Sequence, residues 1–294
     1  MPVIVREFRR SDRDQLTGLI NLHVAAVLPG TALSTNVVLG QLEREPEELI
    51  VDPWVNERVC LVAEVDNQVV AATLLHRFSG DDSVADGYRS AARIRWFLFA
   101  PDADEAAKTL IDTALDLARR WKPTHLYVES ALPALGCVGI STSWPHVSQA
   151  LHQAGFAGPS RSETVLACDC ESLARNGNDV TTKRSVGALG TRLDLMDGDQ
   201  SLGYIEVAPA GLSLQRSSTA TTWADIGNLF AADADDLPQV MPALIGAAAQ
   251  WLQLGGINRL VDYYAPDFHG PQYLDTLIAL GFTELTTNRR GWEL

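Results

Sequence analysis

The sequence predicts an α/β protein with mixed sheets, built as two modules in tandem, the second one truncated. Strand-like runs alternate with helix-like ones along the whole chain, the pattern of helices packed on a sheet. The stretch Leu98-Phe-Ala-Pro-Asp-Ala-Asp104 at a strand-to-helix junction returns at Leu229–Asp235 with one change, Pro101 to Ala232. A helix that begins at proline and leaves through Gly-Phe also occurs in both halves. Pro145 leads to Gly155-Phe156 and Pro271 to Gly281-Phe282, with the same spacing. Shared landmarks in a shared order mark an internal duplication.

In the first half, Val3–Phe8 reads as a strand. Ser11-Asp-Arg-Asp14 offers an N-cap for a helix carrying Leu16, Leu19, Ile20, His23 and Val27, which Pro29-Gly30 ends. Residues 31–57 hold a shorter helix over Asn36–Glu45 and then a polar loop. Val59–Val65 and Val69–Phe78, rich in β-branched and aliphatic residues, form a hairpin turning at Asp66-Asn67-Gln68. A Gly/Asp/Ser loop over Ser79–Ser90 precedes the apolar strand Ala92–Phe99. Leu110, Ala114, Leu117, Ala118 and Trp121 then share one face of an amphipathic helix that Pro123 terminates. His125–Glu129 is a strand and Leu132–Ser143 a loop. A helix starts at Trp144-Pro145, with proline suited to the first turn, and Gly155 closes it. Glu163–Cys170 is a further strand.

The composition of 171–186 is that of a linker, so the chain divides into a first module over 1–170, the linker, and a second module over 187–294. In the second module, Thr191–Met196 and Ser201–Ala208 make a hairpin, and Thr221–Phe230 is the strand before the repeated stretch. Val240, Leu244, Ile245, Ala248 and Trp251 mark the next helix, Arg259–Tyr264 a strand, and Pro271–Leu280 the last helix. A first strand and two leading helices are missing from this copy.

Composition narrows the function. With 46% hydrophobic and 20% charged residues, the chain can bury a sizeable core. Its 23 basic against 37 acidic side chains give a net charge of −14, which supplies no footprint for nucleic-acid phosphates. No apolar run approaches membrane-spanning length, and Met1-Pro-Val-Ile-Val-Arg6 has no leader pattern, so a cytoplasmic protein without a membrane partner is expected. Cys60, Cys137, Cys168 and Cys170 contain no Cys-x-x-Cys pair and read as buried thiols, with no metal expected. No Gly-x-Ser-x-Gly, Gly-x-x-x-x-Gly-Lys-Ser/Thr or His-Glu-x-x-His stretch occurs.

Strand, helix pair, hairpin, strand, helix, strand, helix, strand is the order of the GNAT N-acetyltransferase superfamily, which the chain resembles over nearly its whole length as two modules. Val3–Asp14, the hairpin over 59–78 and the Gly-Phe exits at 155–156 and 281–282 carry the resemblance. It implies an acyl-CoA-dependent N-acetyltransferase taking acetyl-CoA or another acyl-CoA and an unidentified small-molecule amine. It also places the cofactor loop at Phe99, Ala100, Asp102, Asp104 and Ala107. Members hold the pyrophosphate through an Arg/Gln-x-x-Gly-x-Gly/Ala loop at a helix N-terminus. Here the basic position falls on Asp104 and the glycines on Ala107 and Thr109. In the second copy the basic position falls on Asp235 and the first glycine on Pro238. The CoA-binding loop is degenerate in both.

The carboxylates at these helix starts have capping-box spacing, Asp102 with Glu105 and Asp233 with Asp236, and are expected to cap the helices themselves. The family's acid tyrosine falls on Leu151 and Leu277. Residues leaving the fifth strand are the remaining catalytic candidates: Glu129 as a base in the first module, Tyr263 and His269 in the second. Two other readings stay open, a GNAT-derived binding or scaffold protein that has lost CoA, and acyl transfer from a carrier protein's pantetheine arm.

Overall fold

A computed structural model describes residues 2–43, 51–174, 181–210, 222–233 and 236–294. The chain forms two compact units, the first of residues 1–161 with 288–294 and the second of residues 162–287.

The first unit opens with β1 (Ile4–Glu7), α1 (Arg13–Val27) and α2 (Thr35–Leu42). Ser11 is not the cap of α1. A short 3-10 turn over Arg10–Asp12 precedes the helix, and the Asp12 carboxylate accepts the Arg9 N–H at 2.7 Å and the Arg6 guanidinium at 2.6 and 3.1 Å. Arg6 also holds Glu64, so one guanidinium ties β1 and the helix start to the next strand. Ser34 caps α2 by accepting the Val37 N–H. The hairpin is β2 (Val55–Val65) and β3 (Gln68–Phe78), turning on Asp66 and Asn67 alone. Both have positive φ, 51° and 63°, as a two-residue turn matching the twist of its strands requires.

Next come β4 (Ala92–Phe99), α3 (Asp104–Arg120), β5 (Leu126–Val128), β6 (Ile140–Ser141) and α4 (Pro145–Gln153). β3 is buried on both faces, which is why it reads as a continuous apolar run. On α3 the buried stripe is Ala106, Ala107, Leu110, Ile111, Ala114, Leu115 and Ala118, while Leu117 and Trp121 stay partly exposed.

In the second unit, β7 (Arg161–Asp169) is followed by α5 (Cys170–Ala174), β8 (Thr182–Val186), β9 (Thr191–Asp197), β10 (Gln200–Pro209) and β11 (Trp223–Ala231). The chain ends in the first unit with the short β14 (Trp292–Glu293); before it, α6 (Leu237–Leu254), β12 (Arg259–Tyr264), α7 (Pro271–Ala279) and β13 (Thr283–Arg290) complete the second unit. Its core gathers Leu166, Ile205, Val207, Leu244, Ile245 and Leu260 among others.

The first sheet has the order β1-β2-β3-β4-β5-β14, and the second unit carries β13-β7-β12-β11-β10-β9-β8. Two features differ from the sequence reading. The 171–186 stretch is not a plain linker, because Cys170 and Leu173 of α5 are buried and Thr182–Val186 pairs with β9. The module boundary moves as well. β7 pairs with β12 across Thr164–Asp169 in the second unit, and β14 pairs Trp292 and Glu293 with Val128 and Tyr127 in the first. A strand buried at Val165, Leu166, Ala167 and Cys168 needs neighbours, and local patterning does not reveal which strand supplies them.

Trp292 is 1% exposed, its indole N–H donates to the Arg289 carbonyl at 3.1 Å, and its ring meets His152 edge-on at 4.8 Å. Trp292→Ala is therefore expected to lower stability in urea unfolding by about 3–5 kcal/mol, whereas Leu294→Ala, at a 47% exposed side chain, changes it by about 0.5 kcal/mol or less. Equal effects would mean that β14 is not an integral strand.

Candidate functional site

Parallel pairing of β4 with β5 covers only Ala92–Ile94 against Leu126–Val128. Two backbone bonds extend it, Glu129 N–H to Ile94 O at 3.0 Å and Ala131 N–H to Arg95 O at 2.8 Å. On the other side of β4 the register with β3 jumps from Leu75–Ile94 to Leu74–Trp96 and leaves Arg95 as a bulge. Past the bulge, the buried Trp96–Phe99 half of β4 parts from β5. The second unit repeats this geometry. There β11 and β12 pair over Trp223–Asp225 and Arg259–Val261, and Gly227 is the bulged residue against β10. Glu129 and Asp262 are thus equivalent, each the first residue after the last parallel pair.

In the first unit a cavity of about 240 Å³ lies between α3 and α4, lined by Asp104, Lys108, Asp112, His146, Gln149 and Gln153 among others. It reaches the end of β4 through His146, whose Nε2–H donates to the Phe99 carbonyl at 3.1 Å and whose ring stands edge-on to Phe99 at 4.7 Å. Burial lowers the pKa of His146, favouring the neutral ring. Behind it, His23 on α1 donates its Nδ1–H to Leu19 O at 3.0 Å, and burial holds its pKa near 4. The Trp144 indole donates to the His23 carbonyl at 3.0 Å.

At the start of α3 the expected self-capping does not form. The N-cap of α3 is Ala103, without a side-chain bond, and Asp102 is exposed. The Ala103 N–H bonds to Ala100 O at 2.9 Å, and this tight turn starts the helix one residue beyond the point that Asp102 would cap. On α6 the N-cap Asp236 is itself in a helical conformation and makes no side-chain cap, its N–H going to Asp233 O at 3.2 Å. Asp235 lies outside the described residues. Asp104 and Glu105 nevertheless sit in the first turn of α3, where carboxylates favour the helix dipole and disfavour a second anion.

Of the five residues at the expected cofactor loop, only Asp104 lines the cavity. Phe99 is fully buried with its carbonyl engaged by His146. The Ala100 N–H bonds to Val70 O at 2.9 Å, and the Ala107 N–H bonds to Ala103 O at 2.9 Å within the helix. Glu129 accepts Arg93 at 2.9 Å and Arg95 at 2.7 Å on one carboxylate oxygen. Arg93 and Arg95 lie outside the residues that the family resemblance singles out, although an Arg-x-Arg alternation inside an apolar strand is a visible sign of two charges on one face.

Tyr263 and His269 belong to the second unit. The Tyr263 N–H donates to Asp262 Oδ1 at 2.8 Å. His269 accepts the Ala265 N–H on Nδ1 at 3.2 Å and stacks on Tyr273 at 4.5 Å. Tyr273 in turn donates its hydroxyl to Asp262 Oδ2 at 2.6 Å. The titrating centre is therefore Asp262. Burial, with a smaller contribution from nearby Asp225, pushes its pKa up to about 7 against the opposing hydrogen bonds. All four cysteines are free, and burial raises the Cys137 thiol to about 12, which removes it as a thiolate nucleophile. Among the described residues no group of three or more His, Cys, Asp or Glu is placed to hold a metal ion, and no helix is long and apolar enough to cross a membrane.

No protein-family model and no curated protein matches the chain. Solved structures do. A tandem GNAT protein from the clavulanic acid biosynthesis pathway superposes with a TM-score of 0.61 at 15% identity, covering 99% of this chain and 97% of the other. The chain has the tandem GNAT fold. A GCN5-related N-acetyltransferase from Sphaerobacter thermophilus shares it at a TM-score of 0.55 and 11% identity, over 99% of this chain and 94% of that one. So does the GCN5-related glucosamine N-acetyltransferase region of a fungal multi-domain GH3 β-N-acetylglucosaminidase, at 0.59 and 12% identity; this chain spans 38% of that protein's length.

Because the folded-state pKa of Asp262 lies above its ordinary 3.8, its contribution to stability is complete at low pH and is lost as pH rises through about 7. The thermal midpoint of the protein is expected to fall between about pH 5 and pH 8 by more than that of Asp262→Asn. Parallel pH profiles for the two proteins would exclude Asp262 as the titrating group.

Proposed function

We propose that the chain is a GNAT-type acyltransferase that moves an acyl group from a pantetheine thioester, acetyl-CoA or another acyl-CoA, to a small-molecule amine, with the first unit as the working site. The observation that carries this reading is the parting of β4 and β5 at the Arg95 bulge, beside a cavity between α3 and α4. The first unit is favoured because, among the described residues, only it has a pair of helices such as α1 and α2 ahead of its hairpin.

An acyl-CoA meets two different chemistries here. The parted edge of β4 suits an extended amide-bearing arm, which can bond as a strand would. The start of α3 does not suit a pyrophosphate, because Asp104 and Glu105 occupy its first turn and the Ala100 and Ala107 N–H groups are engaged internally. When bound, the thioester would supply the activated acyl group. The chain's own contribution is positional. Neutral His146 fixes the end of β4, and Ser130, immediately after Glu129, holds a fully buried hydroxyl without a partner on a left-handed backbone of φ 53°. Strain of that kind persists where surrounding structure enforces it, often at working sites. A donor carried on a protein's pantetheine arm would avoid the acidic helix start altogether.

One observation favours a second reading, binding without transfer. Glu129 is engaged by two guanidiniums and is not a free base. Calorimetry on the intact protein with acetyl-CoA and with pantetheine separates the possibilities. Saturable binding of acetyl-CoA, with its acyl group passing to an amine and the free CoA thiol released, supports transfer; binding without thiol release supports the second reading. Pantetheine binding alone indicates a carrier-held donor, and silence to both sinks every thioester reading. Asp104→Arg is expected to tighten acetyl-CoA binding by about tenfold at low salt, roughly 1.4 kcal/mol, and to leave pantetheine unchanged. Unchanged acetyl-CoA affinity would refute the charge explanation.

A further inference from the structure

One row of side chains crosses four strands of the first unit's sheet. Arg58 of β2 is paired with His76 of β3, His76 with Arg93 of β4, and Arg93 with Tyr127 of β5. Paired residues project to the same side of a sheet, so these four stand in line on one face. Glu129 lies two residues beyond Tyr127, and Arg95 occupies the bulge two residues beyond Arg93. Arg58 is bonded to Asp52, while Arg93 and Arg95 share Glu129. Among the described residues, three guanidiniums against two carboxylates leave one positive charge uncompensated, in a chain whose net charge is −14.

The neutral members of the row point the same way. Arg93 Nη2 lies 2.8 Å from His76 Nδ1. A guanidinium only donates, so Nδ1 accepts and the ring proton is on Nε2. Burial and the neighbouring Arg93, Arg58 and Arg95 charges push the His76 pKa down to about 2, so the ring adds no charge of its own. Three buried groups in the row have no partner: His76 Nε2, Arg93 Nε and the Tyr127 hydroxyl. The first two can only donate and the third can donate, so what the row lacks is an acceptor. His76 and Arg93 are each 5% exposed, and leaving such donors unmet is unfavourable. Around them Tyr88 packs against Trp54, Phe78 and Tyr127 at 5.6, 5.1 and 6.4 Å, an aromatic wall that excludes water and strengthens any charge contact. Arg95 and Glu129 keep 21% and 28% of their side chains exposed, giving access from solvent.

We infer that Arg93, Arg95 and Tyr127, backed along the row by His76 and Arg58, bind the carboxylate of the acceptor, which makes the acceptor an amine that also carries a single carboxylate. The acceptor role rests on the acyltransferase reading; the carboxylate site does not. A monoanion matches the one uncompensated charge, and the planar edges of guanidinium groups match a carboxylate's two oxygens. Glu129 acts as a positioning residue that holds Arg93 and Arg95 toward each other.

Calorimetry on the full chain tests this with benzoate, its neutral isostere benzamide, and inorganic phosphate. Benzoate is expected to bind saturably, with benzamide at least tenfold weaker and phosphate weaker than benzoate. Arg95→Gln should reduce benzoate affinity at least tenfold, and Arg95→Lys should reduce it less. Should Arg95→Gln fail to fold, Tyr127→Phe removes only the hydroxyl and is expected to weaken benzoate several-fold. Absence of benzoate binding, equal affinity for benzoate and benzamide, tighter phosphate binding, or unchanged benzoate affinity in a folded variant would each overturn the inference. Titrating the same samples with acetyl-CoA and pantetheine keeps the two readings apart. Thioester-arm binding without benzoate overturns only the carboxylate site. Benzoate binding without either arm overturns only the acyltransferase reading.

Discussion

Parallel strands β4 and β5 share three residue pairs and then part, because the Arg95 bulge redirects the outer half of β4. That separation leaves backbone polar groups of a fully buried strand in need of partners, and an unmet buried group costs about 1–3 kcal/mol. Surrounding side chains meet two of these groups. The Thr73 hydroxyl donates to Trp96 O at 3.0 Å and His146 donates to Phe99 O at 3.1 Å. His146 reaches the Phe99 carbonyl from α4, and behind it the Trp144 ring meets His23 edge-on at 5.2 Å.

Charge is distributed unevenly along β4. At its far end, the cavity between α3 and α4 carries Asp104 and Asp112, with Lys108 held by Asp112 at 2.8 Å. Near its start, Arg93 and Arg95 project from the same strand with one cationic charge left over. The two environments ask for different ligands. The first disfavours phosphate groups and suits a neutral arm, whereas the second suits an anion. Under the proposed reading, donor recognition has moved away from the nucleotide, and acceptor recognition has become electrostatic.

The second unit shows what the same backbone does with different side chains. Asp262 occupies the position of Glu129, yet it is fully buried and meets the Tyr273 hydroxyl in place of two guanidiniums. One carboxylate is held between cations and the other is pushed toward its protonated form. A duplicated fold has thus kept its strand geometry while the chemistry at the equivalent residue diverged, the pattern expected when the site rather than the scaffold carries function.

Much of the architecture was legible locally. Alternating apolar runs located β2, β3, β4, β9 and β10. Pro145 and Pro271 marked helix starts, and the repeated Leu-Phe-Ala-x-Asp-Ala-Asp stretch revealed the duplication, since these depend on neighbours a few residues apart. Strand partners were not legible. β13 and β14 escaped notice because Thr283–Arg290 is polar and alternating, and Thr286 and Asn288 are buried only through long-range packing. Capping of α3 is not legible locally, because Asp102 has the right spacing yet the Ala100–Ala103 turn sets the start one residue later. The candidate site shows the same limit. Sequence alone determined that Glu129 ends a strand and that Arg93 and Arg95 alternate inside another. Only the tertiary structure decided that they meet and that His76, Arg58 and Tyr127 fall in line with them, because register between strands far apart in the chain is set by packing of the whole sheet.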